Sequence, residues 1–215
     1  GKHLREISFP PPEALSDGIE GWMQRTPVDE AVSVGWARDS AGAGLKLAAT
    51  LSEDLSDVLF SASCAANASW WASYWARVPT IEVPDKLYEF LLNYGLYKFA
   101  GFTRPNGVAA TLQGPWVEDY QMPPWSSDYH FNINVQMCYW PAYRAGLHEH
   151  LLPLFRMIAG WLPILRENAR LFVGIDDGYL LPHAVDDRCG IIGAFWTGTV
   201  DHACTAWVAR MMFDY

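Results

Sequence analysis

The hydrophobic period of this chain changes once, near Cys64, and that change limits its fold more than any other feature. Upstream, Leu45, Leu47, Ala49 and Leu51 alternate with Lys46, Ala48 and Thr50, the period-2 pattern of a half-buried strand. Downstream, apolar residues recur every three to four positions, the period of a helix with one buried stripe. The spacing therefore predicts strands and turns over residues 1–62 and helices joined by long loops from about residue 66. Val28–Trp36 reads as a second strand, Val58–Ala62 as a weaker third, and residues 39–44 as a turn. Three strands do not close a sheet with two covered faces, so this part is expected to complete a larger sheet.

The helical part has its own punctuation. Ala65–Ala76 is rich in Ala and Trp. Asp85 can cap a helix carrying Leu87, Phe90, Leu91, Tyr94 and Tyr97, with Gly101 to close it. Thr103–Tyr129 is broken by prolines and glycines and reads as loop; a loop that long in a compact domain is usually functional or a misassigned element. Leu147, Leu151, Leu154, Ile158, Leu162 and Leu165 form another stripe, broken at Pro163. Trp196, Val200, Ala203, Trp207, Met211 and Tyr215 form a last one.

Composition narrows the function classes. With 51% apolar and 18% charged residues in 215 positions, the chain is not disordered. Its apolar runs are too short to enter a bilayer as a spanning helix. A net charge of −9 fits nucleic acid poorly, because that affinity comes mostly from Lys and Arg on phosphates. Eleven Trp, ten Tyr and ten Phe suit proteins that handle neutral sugars, whose C–H faces rest on aromatic rings. The four cysteines form no Cys-x-x-Cys pair and are read as buried thiols. His148 and His150 are two residues apart, so on a helix they point to different faces and cannot share a metal. No metal and no cofactor is expected. Gly1 opens the chain without Met, and Phe213-Asp214-Tyr215 closes it inside an apolar stripe. This reads as a piece of a longer protein, with the rest of its own polypeptide as partner.

The densest chemistry lies in Thr111–Trp140, TLQGPWVEDYQMPPWSSDYHFNINVQMCYW. Trp116, Trp125, Tyr129 and Trp140 flank His130, Asn132 and Asn134 there. In extended backbone His130, Asn132 and Asn134 share one face, while Phe131 and Ile133 turn to the core. Three neutral hydrogen-bonding side chains among aromatic walls suit a polyhydroxylated ligand, and a polar edge strand with an apolar back fits the spacing equally well.

TLQGPW, PPWSSDYHFNIN and QMCYWPA together resemble the start of the catalytic domain in glycoside hydrolase family 95, which contains α-L-fucosidases and α-L-galactosidases. The resemblance runs from Trp70-Trp71 to Tyr215. It implies a mainly α fold: residues 84–215 as the first part of an (α/α)6 barrel, 63–83 as a linker helix region, and 1–62 as the C-terminal part of a β-sandwich. It also implies an inverting hydrolase of terminal α-L-fucosides or a related sugar, acting on an oligosaccharide or glycoconjugate. Asn132 and Asn134 match the pair that holds the attacking water. His130 matches a sugar-contacting histidine, His183 and Asp187 of the Pro182–Asp187 loop match sugar binders, and Trp196 matches a stacking wall. Trp116 and Trp125 are expected to line the same site. Cys138 and Tyr143 depart from the family pattern, where Asn and Glu are usual. Inversion needs an acid and a base carboxyl roughly 6.5–9.5 Å apart. In the family these lie beyond residue 215, so the 215-residue chain alone is expected to be inactive. A six-hairpin glycosidase of other specificity, or a non-catalytic carbohydrate-binding paralogue, are the alternatives. The family's usual export implies a bacterial periplasmic or secreted protein.

Overall fold

A computed structural model describes residues 5–6, 8–15, 20–27, 31–38, 45–50, 60–118, 121–192 and 201–215. The chain is mainly helical and forms two compact units, Gly1–Arg77 and Val78–Tyr215.

The first unit holds an antiparallel sheet in chain order, β1 (Glu13–Ala14), β2 (Glu20–Gln24), β3 (Val32–Arg38) and β4 (Leu45–Thr50). The alternation at Leu45–Leu51 marks β4, and β3 starts four residues later than the expected Val28. The expected turn at 39–44 lies outside the described residues. β1 and β2 escaped the periodicity because they are short and β2 carries a glycine. Gly21 sits opposite Gly35, and a Cβ there would meet the Val34 carbonyl oxygen at 2.3 Å. The absent side chain is what lets the two backbones pair at that point. The strand expected at Val58–Ala62 is corrected: helix α1 spans Phe60–Trp75, while residues 58 and 59 lie outside the described part. The Ala- and Ser-rich run after Phe60 continues it as one helix. At its end Tyr74 is buried at 1% exposure and stacks on Trp70 with ring centroids 5.5 Å apart.

The second unit is built from α2 (Lys86–Phe102), α3 (Asn134–Ala145), α4 (Leu152–Gly160), α5 (Leu162–Val173) and α6 (His202–Asp214), with a two-stranded ribbon of β5 (Tyr129–His130) and β6 (Ala184–Val185). Asp85 caps α2 as expected, accepting the Leu87 N–H at 2.9 Å. Its buried face is another matter. Leu96, Phe99 and Ala100 are buried, whereas Leu87, Phe90, Leu91, Tyr94 and Tyr97 are exposed. A helix this apolar all round offers two stripes, and only packing chooses between them. The break at Pro163 is real. Trp161 ends α4 and precedes α5, with Pro163 in the first turn of α5, where its missing N–H is harmless. Cys189 and Cys204 are buried as expected of structural thiols, Cys138 is partly buried, and Cys64 is exposed on α1.

Tyr139 of α3 is fully buried. Its hydroxyl accepts the Ala110 N–H at 2.8 Å, tying the loop after α2 to the core. Tyr139→Phe leaves that buried N–H without its acceptor and is expected to cost about 1–3 kcal/mol, read as a lower urea midpoint at unchanged slope. An unchanged midpoint would mean that the loop carries no stability here. Tyr143, one of the two departures from the family pattern, donates its hydroxyl to the Met211 carbonyl and so ties α3 to α6.

Candidate active site

The ribbon brings two distant loops together. Tyr129 and His130 pair with Val185 and Ala184, and the Phe131 N–H donates to the His183 carbonyl at 2.7 Å. His130 and His183, 53 residues apart in the chain, therefore stand side by side with ring centroids 5.8 Å apart, edge to face. The Trp125 and His130 rings meet in a T-shaped contact, also at 5.8 Å. Its indole is 70% exposed, so one of its faces is open to a ligand.

Each imidazole has its own carboxylate. Asp128 Oδ2 lies 3.9 Å from His130 Nε2, and Asp201 Oδ2 lies 3.9 Å from His183 Nδ1. Asp201 also caps α6, accepting the Ala203 N–H at 3.0 Å, so its position is set by the helix it starts. Asp128 and Asp201 were not among the predicted site residues, since neither has a spacing that distinguishes it from a turn residue or a cap.

Burial pushes the Asp128 carboxyl above its ordinary value; His130 opposes this and the nearby Asp186 charge adds to it. Burial also lowers His130, assisted by repulsion from His183, while Asp128 works in the other direction. The pH consequences have opposite signs. A depressed histidine contributes stability above its ordinary pKa, and this is lost as pH falls through the depressed value. A raised carboxyl contributes stability at low pH, and this is lost as pH rises through the raised value. Removing the repulsion in His183→Gln is expected to raise the His130 midpoint, and removing the attraction in Asp128→Asn to lower it further. Proton NMR titration of the imidazoles checks both. Midpoints that stay put in both variants would show that these groups do not sense one another.

The extended geometry expected for His130–Asn134 is corrected. Strand pairing stops at His130, residues 131–133 form a turn, and Asn134 begins α3. Phe131 is fully buried as expected, but Ile133 is 47% exposed. The turn is favoured because Gln136, fully buried, donates its amide N–H to the Phe131 carbonyl and holds the chain as it enters the helix. Asn132 and Asn134 are both exposed, the first in the turn after His130 and the second at the start of α3.

The remaining predicted residues part company. Trp116 belongs to α2: it meets Phe102 edge to face at 5.7 Å, and the Lys98 ammonium sits 3.8 Å from its ring centroid. Gly114 makes that turn possible. Its φ is +58°, and a Cβ there would press on Phe102 at 2.9 Å. Asp187 is exposed, and its backbone carbonyl accepts the Trp161 indole N–H at 3.2 Å. Its charge acts instead on Tyr129, whose hydroxyl is pushed up to about 12, first by burial and then by Asp187. Trp196 lies outside the described residues. Among the described residues no group of three or more His, Cys, Asp or Glu is arranged to hold a metal, and no helix is long and apolar enough to cross a membrane. His148 and His150 lie on a short 3-10 turn, with His150 buried against Thr103.

The model of the Glycosyl hydrolase family 95 catalytic domain matches residues 62–215. The chain is 42% identical over 134 residues to "Probable alpha-fucosidase A" of Aspergillus niger, covering 58% of this chain and 16% of that protein. It is 33% identical over 129 residues to "Alpha-L-fucosidase 2" of Arabidopsis thaliana, covering 56% of this chain and 15% of that protein. A third relative, "Probable alpha-fucosidase A" of Aspergillus oryzae, is 38% identical over 89 residues, 41% of this chain and 12% of that protein. The chain thus aligns with less than one fifth of the length of each of these relatives.

Proposed function

This chain belongs to glycosyl hydrolase family 95, and from that premise we propose that the whole protein hydrolyses terminal α-L-fucosides, or a closely related glycoside, with inversion at the anomeric carbon. The observation that supports this reading is the cluster of Trp125, His130 and His183, followed in the chain by the exposed Asn132 and Asn134. Trp125 offers an exposed apolar face, the imidazoles offer hydrogen bonds to sugar hydroxyls, and the two asparagines offer amide oxygens that orient a water. An amide does not titrate near neutral pH, so the asparagines cannot serve as acid or base. We assign those roles to two carboxyls supplied by the rest of the polypeptide.

In the same proposal residues 84–215 are the opening part of an (α/α)6 barrel, 63–83 its linker, and 1–62 the end of a β-sandwich. The exposed apolar face of α2 then receives further helices of the same polypeptide. The substrate is an oligosaccharide or glycoconjugate and the protein is exported.

The test uses the full-length gene product and aryl α-L-fucoside, with proton NMR of the first-formed sugar. Release of the β-anomer is expected, with lower kcat/KM on the α-L-galactoside. The 215-residue chain is expected to release nothing above background. Turnover by this chain that a single carboxylate substitution within it abolishes would overturn the assignment of the acid and base. A full-length protein that binds L-fucose without turnover would favour a carbohydrate-binding role instead.

A further inference from the structure

Gln113 of the Thr111–Trp116 segment has no part in the reaction outlined above, and its neighbour Trp116 turns away to α2. Its bonds lead elsewhere. Trp125, Ser126 and Ser127 have φ of +53°, +54° and +53°. Three consecutive non-glycine residues in the left-handed region are unusual, because each sets its Cβ against the backbone. Such backbone persists only where its surroundings over-determine it, and it gathers where function needs an unusual orientation.

The surroundings here come from one short stretch of chain. The Gln113 side-chain amide donates to the Pro124 carbonyl at 3.2 Å, and its backbone N–H donates to Ser127 Oγ at 3.4 Å. Thr111 Oγ1 and Ser127 Oγ share a hydrogen bond at 2.8 Å. The Leu112 N–H donates to the Asp128 carbonyl at 3.2 Å. Gln113 Oε1 is shielded from solvent and accepts no hydrogen bond among the described residues. Reversing the amide would set two oxygens against each other at Pro124, so the donor must face that carbonyl. The Gln113 side chain thus holds the entry to the left-handed turn at Pro124, its backbone N–H and Thr111 hold the exit at Ser127, and the residue the turn leads with is the exposed Trp125 beside His130.

We infer that Gln113 is a positioning residue: it holds the left-handed turn Trp125–Ser127 and through it presents the Trp125 indole beside His130 as a wall of the sugar site. The inference rests on the reading of that cluster as a sugar site. Without the amide donor, residues 125–127 relax towards ordinary negative φ and the indole swings away from the imidazole.

The test is fluorine NMR of the full-length protein labelled with 5-fluorotryptophan, the Trp125 signal being assigned from Trp125→Phe. Gln113→Ala is expected to shift and broaden the Trp125 signal and to move the His130 imidazole protons. The Trp140 and Trp161 signals should hold and so report an intact fold. Adding Ser126→Gly should restore the Trp125 signal, since glycine adopts positive φ without strain. If Gln113→Ala unfolds the chain, Gln113→Met decides by the same signals, because it fills the space without a donor. Trp125 and His130 signals unchanged in the folded variant, or no recovery with Ser126→Gly, would overturn the inference. L-Fucose titration separates it from the functional reading. About a tenfold weaker affinity is expected in Gln113→Ala, the scale of one aromatic contact. A wild-type full-length protein indifferent to L-fucose removes the sugar reading, while the fluorine signals still decide the role of Gln113.

Discussion

If the full-length protein is the proposed hydrolase, Asn132→Ala and Asn134→Ala are each expected to lower its kcat by roughly 10²–10⁴ with little change in KM. A hydrogen bond that orients the attacking water matters most in the transition state, so its loss appears in turnover and not in ground-state binding. His130→Ala is expected to do the reverse and raise KM, since its proposed role is to hold sugar hydroxyls. Asn→Asp variants make the sharper comparison. They keep size and add a negative charge beside the proposed base, which raises the base pKa and moves the acid limb of the pH profile upward. The two positions should differ. Asn134 is the first residue of α3, where a new carboxylate is stabilised by the helix N-terminus and stays charged to lower pH. Asn132 lies in the turn before it and has less of that help. Wild-type kcat in both Ala variants, with an unmoved acid limb in both Asp variants, would make the pair structural.

Phe131→Ala is expected to destabilise the second unit by about 3–5 kcal/mol, the scale for emptying a large aromatic site in a core. Phe131 is fully buried and meets Trp161 edge to face with centroids 6.2 Å apart. Its backbone is held on both sides, by His183 through its N–H and by Gln136 through its carbonyl. At roughly 2–4 °C per kcal/mol for a chain of this size, the unit should melt on the order of 10 °C lower. The edge-to-face contact of His130 with His183 should loosen as well, visible in the imidazole shifts. Phe131→Leu should recover much of the loss, because it refills most of the volume. A melt within a degree or two of wild type for Phe131→Ala would mean that the site is not seated on this core.

These elements were legible because their signals are local. A capping aspartate at 85, a proline tolerated at 163 only in a first helical turn, and the strand pattern at 45–50 each act within a few residues of themselves. The histidine-asparagine run was legible as chemistry but not as geometry. Alternation in a sequence assumes continued extended backbone, and Gln136 ends it at His130 by bonding the Phe131 carbonyl. Nothing in the spacing announces that bond. The α2 stripe fails for a related reason. Leu87, Phe90, Leu91, Tyr94 and Tyr97 have the right period, yet Leu96, Phe99 and Ala100 have it too. Which stripe is buried depends on what lies opposite.

Residue order by itself therefore determined the change from strands to helices, the caps and breaks of the helices, and the residue types gathered at the candidate site, because period, capping and resemblance are properties of neighbouring positions. Only the tertiary structure decided that His130 meets His183, that Asp128 and Asp201 rather than Asp187 lie against them, and that Trp125 stands exposed against His130 while Trp116 packs on α2. These depend on a ribbon between loops more than fifty positions apart. The contacts that hold it, backbone hydrogen bonds and buried side chains, have no preferred spacing along the chain from which they can be read.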